Sequence, residues 1–594
     1  MAFPFPLDHV HSYAGATKSL LLQKHETITK NVISAVCLDE TWVSLRRRNV
    51  PRGREKTARA HVATPGSPDL QDAEEGGVED RVAVTSLLRT AGQATVLLGA
   101  AGSGKTLLMY SLGQLWAQGA YPALKLFFLL EFRQLNSVSR PLSLKDLLFR
   151  FFLPADSDEQ AEAVLDYVIS NPEKVCFIFD GYDEFWGKFT NDGVLQDPFD
   201  PHRPLPMAEL LSGLCGQKIL PRCTLLVTCR PRDVADLFEG SGYLIGELLG
   251  FDLERIREYA RRYFWERDEA LKERAVSHLT SNRLLLPMCH VPALCLICCV
   301  CLDHLFSREG LDTTSVLPAT LTQIYFQVLA AFLSRHTGGE ASAQQGSVTH
   351  ALDNHGPPIR ELGRLALEGL DQSRIVFPVE RLQPDLIEFG TRTGLLCPVD
   401  LRLEDGVRQP GVSFMHLTMQ EFLAGLHLMT SAEVSDAQFK KKLTLKTRWT
   451  SKNEPKTIFT DSLQLYLCGF LASACTPYLI QLANGGGKHV VQKRQSHVVR
   501  VLENFAGSAS LTGPKVVELC RCAHESQDVQ LAAKVGSRKC FELRNIRVTP
   551  IDLEVLAFVV SAAEESVTLD FGGCSMDPGC LDLLDGCRNV EALM

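Results

Sequence analysis

Thr95–Met109 reads TVLLGAAGSGKTLLM, and the fold of the first half of the chain follows from it. The run ATVLL (94–98) is short, apolar and β-branched, as a buried strand is. Leu107, Leu108, Leu112, Leu115 and Trp116 then recur at helical spacing, with Gly119 as a stop. Between strand and helix stands Gly99-Ala-Ala-Gly102-Ser103-Gly104-Lys105-Thr106, which fits G-x-x-x-x-G-K-[ST]. Glycines let the backbone turn tightly, so that successive N–H groups and the positive end of the following helix face phosphate oxygens. Lys105 is expected to reach the β/γ-phosphates and the Thr106 hydroxyl to ligate Mg2+. A chance glycine-rich turn is the bland alternative, and the position between strand and helix argues against it.

Three more apolar runs, LFFLLEF (126–132), VCFIFD (175–180) and CTLLVTC (223–229), alternate with helical patterns. That alternation implies a parallel sheet covered by helices. The second run continues as VCFIFDGYDEF and delivers Asp180 at a strand end, with Asp183 and Glu184 just beyond. Asp180 suits the metal or its water, and Asp183 with Glu184 suit the metal shell and an attacking water. A solvated acidic turn is the other reading. CTLLVTCRPR puts Thr228 and Arg230 on the same rim, where open α/β sheets bind ligands. Arg230 would sense a terminal phosphate, or would form a surface ion pair.

At 594 residues the chain exceeds what one hydrophobic core supports, so several domains are expected. Hydrophobic content of 45% and charged content of 22% are those of a soluble folded protein, and no apolar run has the length of a membrane span. No secretory signal is visible, so the 19 cysteines are expected to stay reduced as small apolar residues. A net charge of −9 argues against direct DNA contact and for partner-mediated ties to nucleic acid.

Residues 1–84 read as a largely flexible N-terminal arm, in which a basic knot (Arg46–Lys56) precedes a Pro-, Gly-, Ser- and acid-rich linker. The knot suits nuclear import, a handle for acidic partners, or plain solvation. Beyond about residue 246 strand signals fade and helical periodicity takes over, with loops expected at 336–347 and 484–489. Cys295, Cys298, Cys301 and His304 suggest zinc on paper, but on a helix they fan around the axis and cannot converge on one ion. The tail holds a faint repeat, with Leu543 and Leu569 26 residues apart in CFELRNI and SVTLDFGGC. It reads as the start of leucine-rich repeats, cut short of a longer array.

The succession of P-loop, FDGYDEF and TCRPR resembles the NACHT ATPase module of the nucleotide-binding, leucine-rich-repeat (NLR) immune proteins. LFFLLEFRQLN (126–136), VPALCLICCVCLDHL (291–305), MHLTMQEFLAGLHLM (415–429) and LTGPKVVELCRC (511–522) are similar to the branch that acts on class I MHC genes. The resemblance implies an order of domains: nucleotide-binding domain (85–246), first helical domain (247–335), winged-helix domain (336–440), second helical domain (441–538) and leucine-rich repeats (539–594). By the same resemblance, Pro292 lies near adenine, although His290 stands where the family has glycine, and a first-turn helical proline is its plain role. His416 matches the winged-helix histidine that reaches the β-phosphate of ADP. A helix-associated structural histidine is the reading without the family. The first 80 residues look too short and polar for a complete death-fold effector domain.

Three functions stay in play: a working ATPase, a switch held closed by ADP and opened by ATP, and a scaffold with a vestigial pocket. The intact site residues disfavour the scaffold, and the long helical continuation favours the switch, at most a slow ATPase. The resemblance further implies coactivation of class I MHC genes through protein partners, innate immune signalling, self-association on activation, and shuttling between cytoplasm and nucleus. The alternative is a cytoplasmic sensor or inhibitor of NF-kappa-B and interferon signalling.

Overall fold

The computed structural model describes residues 6–32, 45–48, 86–185, 200–230, 243–306, 318–334, 347–402, 408–443 and 461–594, apart from breaks of one to three residues that include Ala100 and Ala101. The chain divides into two compact units, residues 1–250 with 402–408, and residues 251–401 with 409–594.

The first unit is built on six strands: β1 (Leu45–Arg48), β2 (Ala94–Leu98), β3 (Leu126–Glu131), β4 (Val175–Asp180), β5 (Thr224–Cys229) and β6 (Leu244–Leu248). Their order across the sheet is β1-β6-β2-β5-β4-β3. β2 to β6 are parallel and β1 closes the far edge antiparallel to β6. Every residue of β3, β4 and β5 is buried. This explains why they read as unbroken apolar runs and not as alternating ones. The parallel arrangement brings the ends of β2, β4 and β5 to one rim.

Within the expected N-terminal arm, 33–44 and 49–85 fall outside the described residues, while residues Pro6–Val32 form helix α1. It straddles the two faces of the sheet, with Val10 and Tyr13 in one core and Leu21 in the other. The Tyr13 hydroxyl, fully buried, donates to Leu153 O at 2.9 Å. Of the basic knot, Arg46–Arg48 lie in β1, while 49–56 and the acidic linker fall outside the described residues. Helix α2 (Lys105–Ala117) buries Leu108, Met109, Tyr110, Leu112, Gly113 and Trp116, and Gly119 follows at φ +92°. Helices α3 (Asp158–Ser170) and α4 (Met207–Cys215) complete the first core.

The second unit is mainly helical. Its helices include α5 (Leu253–Tyr263), α6 (Glu269–Ser281), α7 (Pro292–Phe306), α8 (Leu321–Ser334), α9 (Val348–Asp371), α10 (Pro384–Thr393), α11 (Leu417–Thr430), α12 (Asp461–Gly469), α13 (Gly487–Ala506), α14 (Gly513–Ser526), α15 (Val529–Gly536) and α16 (Pro550–Ser561). On α7 the residues Cys295, Cys298 and Cys301 are buried, as a helix enclosed nearly all round predicts. Within the loop expected at 484–489, α13 already begins at Gly487, and the other loop, but for Ser347, falls outside the described residues.

Strand signals do not end at residue 246. Strands β7 (Val376–Pro378), β8 (Leu396–Arg402) and β9 (Arg408–Phe414) form a sheet in the order β7-β9-β8 beside α10. In the tail β10 (Cys540–Glu542), β12 (Val567–Asp570) and β14 (Val590–Leu593) stack in parallel, as do the two-residue β11 (Arg547–Val548) and β13 (Ser575–Met576). Phe541, not Leu543, pairs with Leu569, so the structural repeat is 28 residues, from 541 to 569. Among the described residues no helix is long and apolar enough to cross a membrane.

Candidate nucleotide-binding site

The site lies on the rim where β2, β4 and β5 end. At the end of β2, Gly99 N donates to Cys229 O at 3.0 Å, which ties the start of the loop to β5. A Cβ on Gly99 would stand 2.6 Å from Ser103 Oγ and 3.2 Å from Leu248 Cβ, so only glycine fits. Gly104, at φ +90°, is the N-cap of α2, a left-handed backbone that L side chains resist. The helix then opens with Lys105 and Thr106, so that its N-terminal end faces the loop.

Thr106 Oγ1 donates to Asp180 Oδ2 at 2.6 Å, and Thr228 Oγ1 donates to Asp180 Oδ1 at the same distance. Both Asp180 oxygens are thereby oriented, and burial raises its carboxyl while these two hydroxyls oppose the rise. Lys105 Nζ donates to Gly99 O at 2.7 Å. Burial lowers the Lys105 ammonium, against the pull of Asp183. Arg230 pairs with Asp183 at 2.7 Å, and the side chains are 13% and 6% exposed, so this ion pair is not a surface one. Glu184 follows on a single turn of helix, and burial, countered by Arg133, pushes its carboxyl up to about 7.

These residues fit a nucleotide with its metal. Ser103 Oγ is buried and has no hydrogen-bond partner among the described residues, a donor for which a phosphate oxygen is the natural acceptor. Lys105 would meet the phosphates, and Thr106 with Asp180 offers the hard oxygen pair that Mg2+ takes while it keeps waters. A bound Mg2+ would neutralise charge on the phosphate oxygens. The first unit thus gathers Gly99, Gly102, Ser103, Gly104, Lys105, Thr106, Asp180, Asp183, Glu184 and Arg230.

Pro292 and His416 belong to the second unit. Pro292 opens α7, and His290 Nδ1 stands 2.6 Å from Phe251 O. His416 is the N-cap of α11: its Nδ1 accepts from Thr418 N at 3.3 Å and lies 2.5 Å from Thr418 Oγ1. With Nδ1 accepting the backbone N–H, the imidazole proton sits on Nε2.

Sequence reasoning missed the polar cluster behind the site. Glu131, buried at the end of β3 opposite Asp180 in the register, accepts from the Tyr110 hydroxyl and pairs with Arg133. The signal was the odd acid inside LFFLLEF, a charge at the end of an otherwise apolar strand.

The sequence matches the NACHT domain family over residues 93–267, the "NLRC5, helix-turn-helix domain" family over 353–414 and the "NLRC4 helical domain HD2" family over 416–534. It is 50% identical over 590 residues to "Protein NLRC5" of Ictalurus punctatus, covering 99% of this chain and 33% of that one. Against "Protein NLRC5" of Homo sapiens identity is 34% over 547 residues, covering 91% and 27%. Against the human "MHC class II transactivator" it is 27% over 551 residues, covering 92% and 46%. The chain thus spans a third or less of the length of the NLRC5 relatives cited. A solved STAND ATPase with a tetratricopeptide-repeat sensor from Pyrococcus horikoshii aligns with 80% of this chain and 60% of its own, at 12% identity and a TM-score of 0.27.

Proposed function

The chain belongs to the NLR family of nucleotide-binding immune regulators, and on that premise we propose that it is a conformational switch set by ADP or ATP with Mg2+. The observation that carries this reading is the rim itself, where the unpaired Ser103 hydroxyl, Lys105 and the Thr106–Asp180 pair surround the space a phosphate chain would take. In the ADP-held state His416 contributes its Nε2 proton to the β-phosphate and Pro292 borders the base. A ligand that touches more domains in one state than in the other shifts the equilibrium by its differential affinity. With ATP, Glu184 orients a water that attacks the γ-phosphorus as the bond to the β,γ-bridging oxygen breaks, releasing phosphate and leaving ADP. This hydrolysis is slow and resets the switch.

The output we propose is coactivation of class I MHC genes through protein partners, with movement between cytoplasm and nucleus and self-association on activation. Its support is the sequence likeness to the transactivator branch of the family. The second reading is a cytoplasmic sensor or inhibitor of NF-kappa-B and interferon signalling. Identification of the nucleotide that copurifies with the protein tests the switch: ADP is expected, and an apo protein that takes up neither ADP nor ATP would overturn it. A reporter driven by a class I promoter separates the two outputs.

A further inference from the structure

Two turns meet behind the acidic end of the site. β3 runs into a four-residue helix, Phe132–Leu135, and β4 runs through Gly181 into the turn Tyr182–Glu184. The Phe132 ring packs at 5.4 Å from Tyr182 and 5.2 Å from Phe185. Asn136 Nδ2 donates to Glu184 O at 2.7 Å, a bond across 48 residues of sequence. Glu131, 5% exposed, is bonded by the Tyr110 hydroxyl from α2 and by Arg133, so that the guanidinium is anchored to the strand end beside Asp180. Glu184 therefore sits on a turn whose backbone is fixed from a neighbouring strand end.

We propose that Asn136 is a positioning residue for Glu184: its amide fixes the backbone of the turn that carries the Glu184 carboxylate. The proposal rests on the reading of this rim as a nucleotide site in which Glu184 orients water. The charged groups acting on Glu184 are Arg133 from the turn after β3, Asp183 from its own turn, Asp180 at the end of β4, Arg230 beyond β5 and Lys105 on α2. The plain alternative is a hydrogen bond that serves folding alone, and it predicts that turnover and ADP affinity fall together or not at all.

The test uses the full chain, with fluorescent ADP for affinity and ATP turnover measured from pH 6 to 9. Asn136→Ala is expected to lower turnover about tenfold while ADP affinity stays within about twofold, because the amide touches only the water-orienting turn. Unchanged turnover in Asn136→Ala overturns the proposal, as does a parallel loss of ADP affinity in that variant. A wild-type chain that binds ADP but never turns over ATP also overturns it. Failure of the wild type to bind ADP overturns instead the reading of the site.

Discussion

Thr228 Oγ1 donates to Asp180 Oδ1 at 2.6 Å and accepts from Gly181 N at 2.8 Å, so one hydroxyl of β5 holds both the carboxylate that ends β4 and the turn behind it. Thr228→Val keeps the shape and strips both bonds. The Gly181 N–H and Asp180 Oδ1 then lose this partner while Thr106 still holds Oδ2, at a cost of about 1–3 kcal/mol. A lower melting temperature and a weaker Mg2+-dependence of nucleotide binding are expected. Melting and Mg2+ response equal to the wild type would refute the role given to this threonine.

Lys105→Ala is expected to weaken ADP and ATP binding together, measured by fluorescence titration, whereas Glu184→Gln spares binding and slows turnover. Glu184 ionises at about 7 in the folded chain, above the usual carboxylate range, because burial disfavours its charge. The folded state therefore holds a proton that the unfolded state has lost, and stability falls as pH rises from the carboxylate range to about 7. Glu184→Gln removes that fall. Wild-type turnover should climb through neutral pH as the carboxylate forms. If signalling output survives or rises in Glu184→Gln, hydrolysis is not the output.

His416 both caps α11 and, in the proposed latch, donates to phosphate. Alanine would confuse the two roles, since loss of an N-cap costs about 0.5–2 kcal/mol. Asparagine is itself a strong cap, so His416→Asn should leave thermal stability near wild type and speed ADP release. Equal ADP release rates in a chase experiment would eliminate the latch.

Glu525 on α14 accepts from Leu321 N at 2.9 Å, from Thr322 N at 3.2 Å and from Thr322 Oγ1 at 2.7 Å, capping α8 from about 200 residues away. Glu525→Ala strands those donors, and about 1–3 kcal/mol of stability should go with it. Gly469→Ala drives a methyl to 1.9 Å from Thr322 Oγ1 and should disturb the same seam. Hydrogen exchange at the first turn of α8 is the direct measure, and full protection in both variants would contradict the assignment.

Tyr13→Ala empties a buried position that also bonds two backbone carbonyls, with an expected loss of about 3–5 kcal/mol. Faster exchange should appear along α1 and at Leu148–Leu153. If α1 exchanged freely in the wild type, its seat in the core would be in doubt.

What was legible in the sequence follows physical lines. Strands β2 to β5 declared themselves because strands buried on both faces carry unbroken apolar runs. The loop glycines and the Thr106–Asp180 pair were legible because phosphate and metal chemistry restricts residue type and spacing. Helix α1 hid, since only one stripe of it is buried and Lys18 and Lys24 grip the rings of Trp116 and Tyr110 through cation contacts that carry no hydrophobic signature. β7 has only three residues, and β8 and β9 are broken in sequence by Pro398 and by Pro410 with Gly411, residue types that mark turns and not strands. Thr228 was seen only as a strand-end neighbour, because its two bonds join residues nearly fifty positions away. The tail repeat was found but misphased by two residues, because Leu543 looks more like a repeat leucine than Phe541 does.

The seat of α1 has a practical corollary. The NACHT family match begins at residue 93, yet α1 flanks β3 and β1 borders β6, so both lateral margins of the sheet are completed by earlier residues. A fragment cut at that family boundary would bare two raw margins of main chain and an oily furrow beside α2. Such a fragment should polymerise through strand-to-strand pairing and pass for activated self-assembly.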